Sequence, residues 1–106
     1  MPKYLLQASY TGEGIKGLRK EGGTARRAAA EQLIKSLGGT MESFYYAFGD
    51  ADVYTVLDMP DHASMSAAAL AIGASGAVTG KTVVLMTAED VDAATKKTLS
   101  YRAPGQ

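Results

Sequence analysis

The stretch 44–59 constrains this chain more than any other. Phe44-Tyr45-Tyr46-Ala47-Phe48 and Val53-Tyr54-Thr55-Val56-Leu57 are runs of aromatic and β-branched residues, the types that suit a pleated, half-buried surface, and Gly49-Asp50 lies between them. Glycine reaches positive φ without steric cost, so Gly49 at the first central position predicts a β-hairpin closed by a type II′ turn. A hairpin in the middle of the sequence commits the chain to a sheet, and the flanking segments decide the architecture.

Residues 3–10 predict a first strand, with Tyr4, Leu6, Ala8 and Tyr10 on one face and Leu5, Gln7 and Ser9 on the other. Between 13 and 23, Gly14, Gly17, Gly22 and Gly23 shorten or bend any helix, since each interior glycine costs about 1 kcal/mol relative to alanine. Thr24 is a favoured N-cap, 25–37 is rich in helix formers, and Gly38-Gly39 supplies a left-handed stop. Ala25, Ala29, Leu33 and Leu37, with Ala28, Ala30 and Ile34 nearby, make the expected buried stripe; Arg26, Arg27, Glu31 and Lys35 are expected in solvent.

The hairpin strands cover 40–48 and 52–59. Pro60-Asp61 ends the second, and an alanine-rich helix over 62–75 follows, its small side chains suited to close approach. Gly76 is the expected C-cap and 81–86 the fourth strand. Thr87-Ala88-Glu89-Asp90 opens a short helix to about 98, acidic at its start and with Lys96-Lys97 at its end, as the helix dipole prefers. Residues 99–106 read as a tail, and 1–106 as one α+β domain. The order strand, helix, strand, strand, helix, strand predicts a ferredoxin-like βαββαβ sandwich with an extra C-terminal helix and both crossover helices on one face.

Both faces of that sheet carry apolar bulk. Phe44, Tyr46 and Phe48 are expected to project one way and Met41, Tyr45 and Ala47 the other, while Tyr54 and Val56 oppose Val53, Leu57 and Met59. Two helices cover one side. At about 25 cal/mol per Å² of apolar surface, leaving the other side wet forfeits several kcal/mol, comparable with the stability of a domain this size. The sequence therefore predicts a homo-oligomer, a dimer or higher, packed sheet to sheet. The competing arrangement is a monomer in which Gln7, Ser9, Ser43, Thr55 and Thr82 make one face polar.

Four segments together resemble the GYD domain family, small bacterial proteins mostly of uncharacterised function. They are Tyr4-Leu5-Leu6-Gln7-Ala8-Ser9-Tyr10-Thr11, Gly14-Ile15-Lys16-Gly17-Leu18, Tyr45-Tyr46-Ala47-Phe48-Gly49-Asp50 with Asp52, and Lys81-Thr82-Val83-Val84-Leu85. The resemblance implies a compact α+β fold similar to dimeric α+β barrels. It supplies no reaction. Where the family's eponymous corner has an aromatic residue before the second acid, this chain has Ala51.

Charge and composition narrow the classes. Eleven basic and eleven acidic side chains cancel, which removes the long-range field that draws proteins to phosphate backbones or anionic lipid. Nucleic acid and membrane are not expected partners. The chain has no cysteine, hence no disulfide or thiolate chemistry, and no run of the roughly 20 apolar residues that span a bilayer. Met1-Pro2-Lys3-Tyr4-Leu5-Leu6-Gln7 is too short in apolar residues for a signal peptide. A cytoplasmic protein is expected.

The chemical motifs are few. Gly12-Glu13-Gly14-Ile15-Lys16-Gly17 satisfies the dinucleotide fingerprint, but a hairpin follows where repeated parallel units are needed, so a loop is expected and no cofactor. Gly76-Ala77-Val78-Thr79-Gly80-Lys81-Thr82 is one residue short of a P-loop and runs into a strand. His62 beside Asp61 lacks the convergent ligands of a metal site and reads as an exposed first-turn residue. Asp50 and Asp52 flank the corner, either as paired carboxylates or as turn acids that accept backbone N–H bonds. Tyr10, Tyr45, Tyr46 and Tyr54 either pack as strand residues or line a cleft between sheet and helices with Lys16 or Arg26 at its mouth. The expected function is a small-molecule-binding or assembly module, with Tyr10, Lys16, Arg26, Tyr45, Tyr46, Asp50 and His62 as candidate ligand-binding residues. The alternative is an enzyme without cofactor, similar to the monooxygenases and isomerases of the dimeric α+β barrel type, in which Tyr10 or Tyr45 donates a proton and Asp50 or His62 accepts one.

Overall fold

A computed structural model describes residues 1–106. In chain order it contains β1 (Lys3–Tyr10), α1 (Gly12–Glu21), α2 (Gly23–Ser36), β2 (Thr40–Tyr46), β3 (Val53–Asp58), α3 (His62–Ala74), β4 (Val78–Leu85) and α4 (Ala88–Thr95). The strands form one sheet in the order β2-β3-β1-β4, with every neighbouring pair antiparallel. This is a small α+β fold, consistent with the ferredoxin-like type. No helix is long and apolar enough to cross a membrane.

Strict alternation in β1 and β3 sets the two faces. Tyr4, Leu6 and Ala8 are buried, as are Val53, Thr55 and Leu57 opposite them, while the residues between are half-exposed. Onto the buried face α2 brings Ile34 and α3 brings Met65 and Ala68, closing one cluster with Tyr4, Leu6, Met41, Leu57 and Met59. Asp61 caps α3 by accepting the Ser64 N–H at 2.7 Å, which holds its carboxyl below the usual range.

The hairpin differs from the expected one in two ways. Ala47 N–H donates to the Asp52 carbonyl at 2.8 Å across a longer loop, and Gly49 is not among the positive-φ glycines, so no type II′ turn forms. Asp52 N–H donates instead to the Ala8 carbonyl of the third strand in the row, and the Asp52 carboxylate accepts from Tyr10 N–H, each at 2.8 Å. Tertiary bonds to β1 have replaced the local turn. Phe48 consequently leaves the strand and is fully exposed.

The second difference is a β-bulge in β2. Met41 faces Leu57 and Ser43 faces Val56, so Glu42 is the extra residue and Met41 lies on the same face as Phe44, the reverse of simple alternation. Met41 is buried as a result. Glu42 is freed to meet Lys3, which bridges it at 2.9 Å and Asp58 at 2.7 Å. The open face thus carries Leu5, Val56 and Val83 in one row and Tyr45 and Tyr54 in the next.

The helices also correct the sequence expectation. α2 starts at Gly23, following Gly22 at φ 88, with no side-chain cap from Thr24. Its inner face is Arg26, Ala30, Leu33 and Ile34; Ala25, Ala28 and Ala29 are exposed. β4 begins at Val78, because it pairs with β1 along the full length from Tyr10↔Val78 to Lys3↔Leu85. From residue 86 to residue 102 every side chain is exposed, including Met86, Val91, Leu99 and Tyr101. The radius of gyration is 17.1 Å and the longest dimension 58 Å against 32 and 23 Å, whereas a compact chain of about 100 residues has a radius near ~13 Å. α4, closed by a full Thr87–Asp90 capping box, stands off the body as an arm.

Candidate functional site

Between the buried face of the sheet and α2 and α3 there is a cavity of about 130 Å³. It exists because the sheet row beneath it is small. Tyr4, Met59, Met65 and Ala68 fill their end of the layer, but the sheet row Tyr46, Val53, Ala8, Gly80 leaves space, and α2 sets Ala29 and Ala30 above it. The wall is aliphatic, from Leu6, Ile34, Val53 and Ile72, with Phe44 beside it. Thr55 is the polar side chain deepest in the wall, and its hydroxyl donates to the Ser43 carbonyl at 2.7 Å.

Tyr10 and Arg26 close one end. β1 carries Tyr10 two residues beyond Ala8 on the same face, and α2 carries Arg26 one turn before Ala30. Both also line an outer cleft of about 250 Å³ with Glu13, Gly17, Glu21 and Ser75, so the apolar cavity and the polar cleft share this end. Arg26 is half-buried and meets Glu21 at 3.4 Å. Tyr46 belongs to the same corner: its hydroxyl donates to the Gly23 carbonyl at 2.8 Å, and its ring meets Phe44 edge-on with centroids 5.2 Å apart. Burial, and then the neighbouring Tyr46 hydroxyl, push the Tyr10 phenol above its ordinary value, against the pull of Arg26. Tyr10 is therefore a hydrogen-bond donor at neutral pH.

The glycine fingerprint has a mechanical explanation. Residues 12–17 are helical, capped by Thr11, whose hydroxyl accepts the Gly14 N–H at 3.2 Å and donates to the Gly76 carbonyl at 2.9 Å. α1 lies so close to the turn leading into β4 that a Cβ on Gly14 would collide with the Ala77 carbonyl oxygen. Glycine is needed there for contact between backbones. The second glycine-rich stretch runs from the left-handed Gly76 straight into β4.

Residues 4–95 match the model of the GYD domain. The chain belongs to the GYD domain family. Comparison with curated proteins and with solved structures returned no match.

In this GYD domain the seven candidate residues fall into separate places. Tyr10, Arg26 and Tyr46 come together at the cavity end. Lys16 is exposed on α1, 3.4 Å from Glu13. Tyr45 is on the open face opposite Tyr54. Asp50 lies in the hairpin loop beside a separate polar hollow with Gln7, Ser9, Thr79 and Lys81. His62 sits at the far end of the layer, its Nδ1 hydrogen-bonded to the Tyr4 hydroxyl and its ring edge-on to Tyr4 at 5.8 Å. Asp52 is a structural acid bonded to β1. Ala30, Phe44 and Thr55 of the cavity wall were not among the candidate ligand-binding residues, and Thr55, expected on the polar face of the monomer arrangement, is buried instead; the coincidence of Ala8 and Gly80 with alanines on a facing helix is the signal that reveals a hollow.

Proposed function

We propose that this GYD domain is a homo-oligomeric binding module that holds a small, partly apolar ligand in the cavity between its sheet and α2. The observation that carries this is the joining of an aliphatic hollow to a polar cleft at Tyr10 and Arg26, an arrangement of apolar walls with a few placed polar groups that is typical of small-molecule sites. Acid–base catalysis is the weaker reading here, because no carboxylate or imidazole lines the inner cavity and the bases considered for it, Asp50 and His62, stand elsewhere. Thermal-shift screening of the full chain against a metabolite library tests the binding reading. A ligand that raises Tm in the native chain, and does not in Ala30→Leu, is the expected result; no stabilising compound in the library sinks it.

Sheet-to-sheet assembly of the dimeric α+β barrel type is part of the same proposal. It is supported by the strand order, by the apolar row Leu5, Val56 and Val83 with Tyr45 and Tyr54 on the open face, and by the C-terminal arm, whose Val91, Leu99 and Tyr101 find no cover within the chain. A net charge of zero puts no long-range repulsion between two copies. Light scattering behind gel filtration checks it: a species of twice the 11.1 kDa chain mass or more is expected, and a monomer at micromolar concentration removes the assembly.

A further inference from the structure

The site just proposed has one cation where its two compartments meet, and that sets limits on what it can hold. We infer that its ligand is a small monocarboxylic acid bearing an apolar group about the size of a benzene ring, with the apolar group in the cavity and the carboxylate at Arg26 and the Tyr10 hydroxyl. The inference rests on the binding reading above and goes beyond it in chemical class.

Size comes first. The cavity is about 130 Å³, close to the ~150 Å³ of an apolar protein cavity that takes up benzene. Polarity comes second. Thr55 spends its donor on Ser43, so the aliphatic interior offers no donor that would repay the desolvation of a polar ligand group. The polar end of the ligand must face Tyr10 and Arg26.

Charge comes third. Arg26 is protonated at any physiological pH and presents a planar fork of donors. Its contact with Glu21 is a single bond at 3.4 Å from one terminal nitrogen, with both side chains partly exposed, so the guanidinium keeps donors for a bidentate carboxylate. The Tyr10 phenol, being protonated, brings no repelling charge to this end. Glu21 and Glu13, the latter 3.4 Å from Lys16, line the outer cleft beyond Arg26, and they oppose every negative charge on the ligand, so the one cation at the junction offsets a single charge better than two. A monoanion fits; a phosphate dianion meets repulsion.

Amide NMR titration of the full chain with benzoate, benzyl alcohol and phenyl phosphate tests this. Benzoate is expected to shift the amides of Tyr10, Arg26 and Ala30 and to bind about tenfold or more tightly than benzyl alcohol, the worth of one charged hydrogen bond. Arg26→Gln should bring benzoate down to the level of the alcohol, Arg26→Lys should restore part of the difference, and Ala30→Leu should exclude both. Equal affinity of benzoate and benzyl alcohol for the native chain, or tighter binding of phenyl phosphate than of benzoate, overturns the monocarboxylate class and leaves the apolar binding cavity standing. If neither benzoate nor benzyl alcohol shifts any cavity amide, the class and the binding site fall together.

Discussion

The two ends of the layer between sheet and helices are made by the same strands and the same helices, yet one is solid and the other hollow. At the solid end Tyr4, Met59, Met65 and Ala68 are each 3 % exposed or less, and the polar tip of Tyr4 is satisfied by His62. At the hollow end Ala8 and Gly80 lie in the row beneath, Ala29 and Ala30 lie above, and about 130 Å³ stays unfilled. Side-chain volume alone separates them, because the backbone spacing of a sheet and its helices does not collapse to suit small residues. Volume given up at one end of a small core is stability forgone, and the end where it is given up is the end that carries Arg26 and a protonated phenol.

That contrast can be broken by making the solid end hollow. Met59→Ala removes a side chain that is 0 % exposed, and truncations of this kind cost about 2–5 kcal/mol through lost transfer energy and the cavity left behind. Chemical denaturation should show that loss as a lower midpoint at unchanged slope.

A smaller effect comes from the wedge that holds α1 beside the hollow. Gly14→Ala places a methyl against the Ala77 carbonyl, and overpacking of this sort costs about 1–3 kcal/mol. Its denaturation midpoint should fall, and the amides of α1 and the start of β4 should shift most. An unchanged midpoint would show that the helix can slide away from the strand without loss.

Filling the hollow runs the other way. Ala30→Leu adds three carbons facing the cavity, each worth about 0.8 kcal/mol when fully buried, so a gain of about 1–2 kcal/mol is expected after incomplete fit. A loss of stability instead would mean that the space is not available to a side chain.

The finest probe is the titration of Tyr10. Its folded-state value is raised, chiefly by burial, so the stability it contributes is complete below the ordinary tyrosine value and is lost as pH rises through the folded one. Ultraviolet difference spectra of the native chain against Tyr10→Phe should place the Tyr10 phenolate midpoint above the ordinary tyrosine value. A midpoint at or below that ordinary value would put Tyr10 in water rather than at the cavity end.

Much of this was legible in the sequence. The alternation of β1 and β3, the capping residues Asp61 and Thr87, and the stop at Gly38-Gly39 act within a few residues of themselves, so composition and spacing reveal them. The strand-helix order pointed to the α+β class, and the segments shared with the GYD domain pointed to the family over residues 4–95. Tyr10 and Arg26 could be named as candidates from their types alone.

Other features depend on residues far apart in the chain meeting in space. Asp52 reaches across to Ala8 and Tyr10 and so abolishes the tight turn that Gly49-Asp50 favours locally. The bulge at Glu42 reverses the face of Met41. Arg26 is turned inward because α2 begins one residue before Thr24 and docks through Ala30 and Ile34. The sequence by itself determined most of the segments that become strands and helices, though not the helix that begins at Gly12 or the early start of β4 at Val78, since those it did determine are short-range balances of propensity and capping. Only the tertiary structure decided which tyrosines share a corner and where the core stays empty, because a cavity is a mismatch of volumes between surfaces that the linear chain never sets side by side.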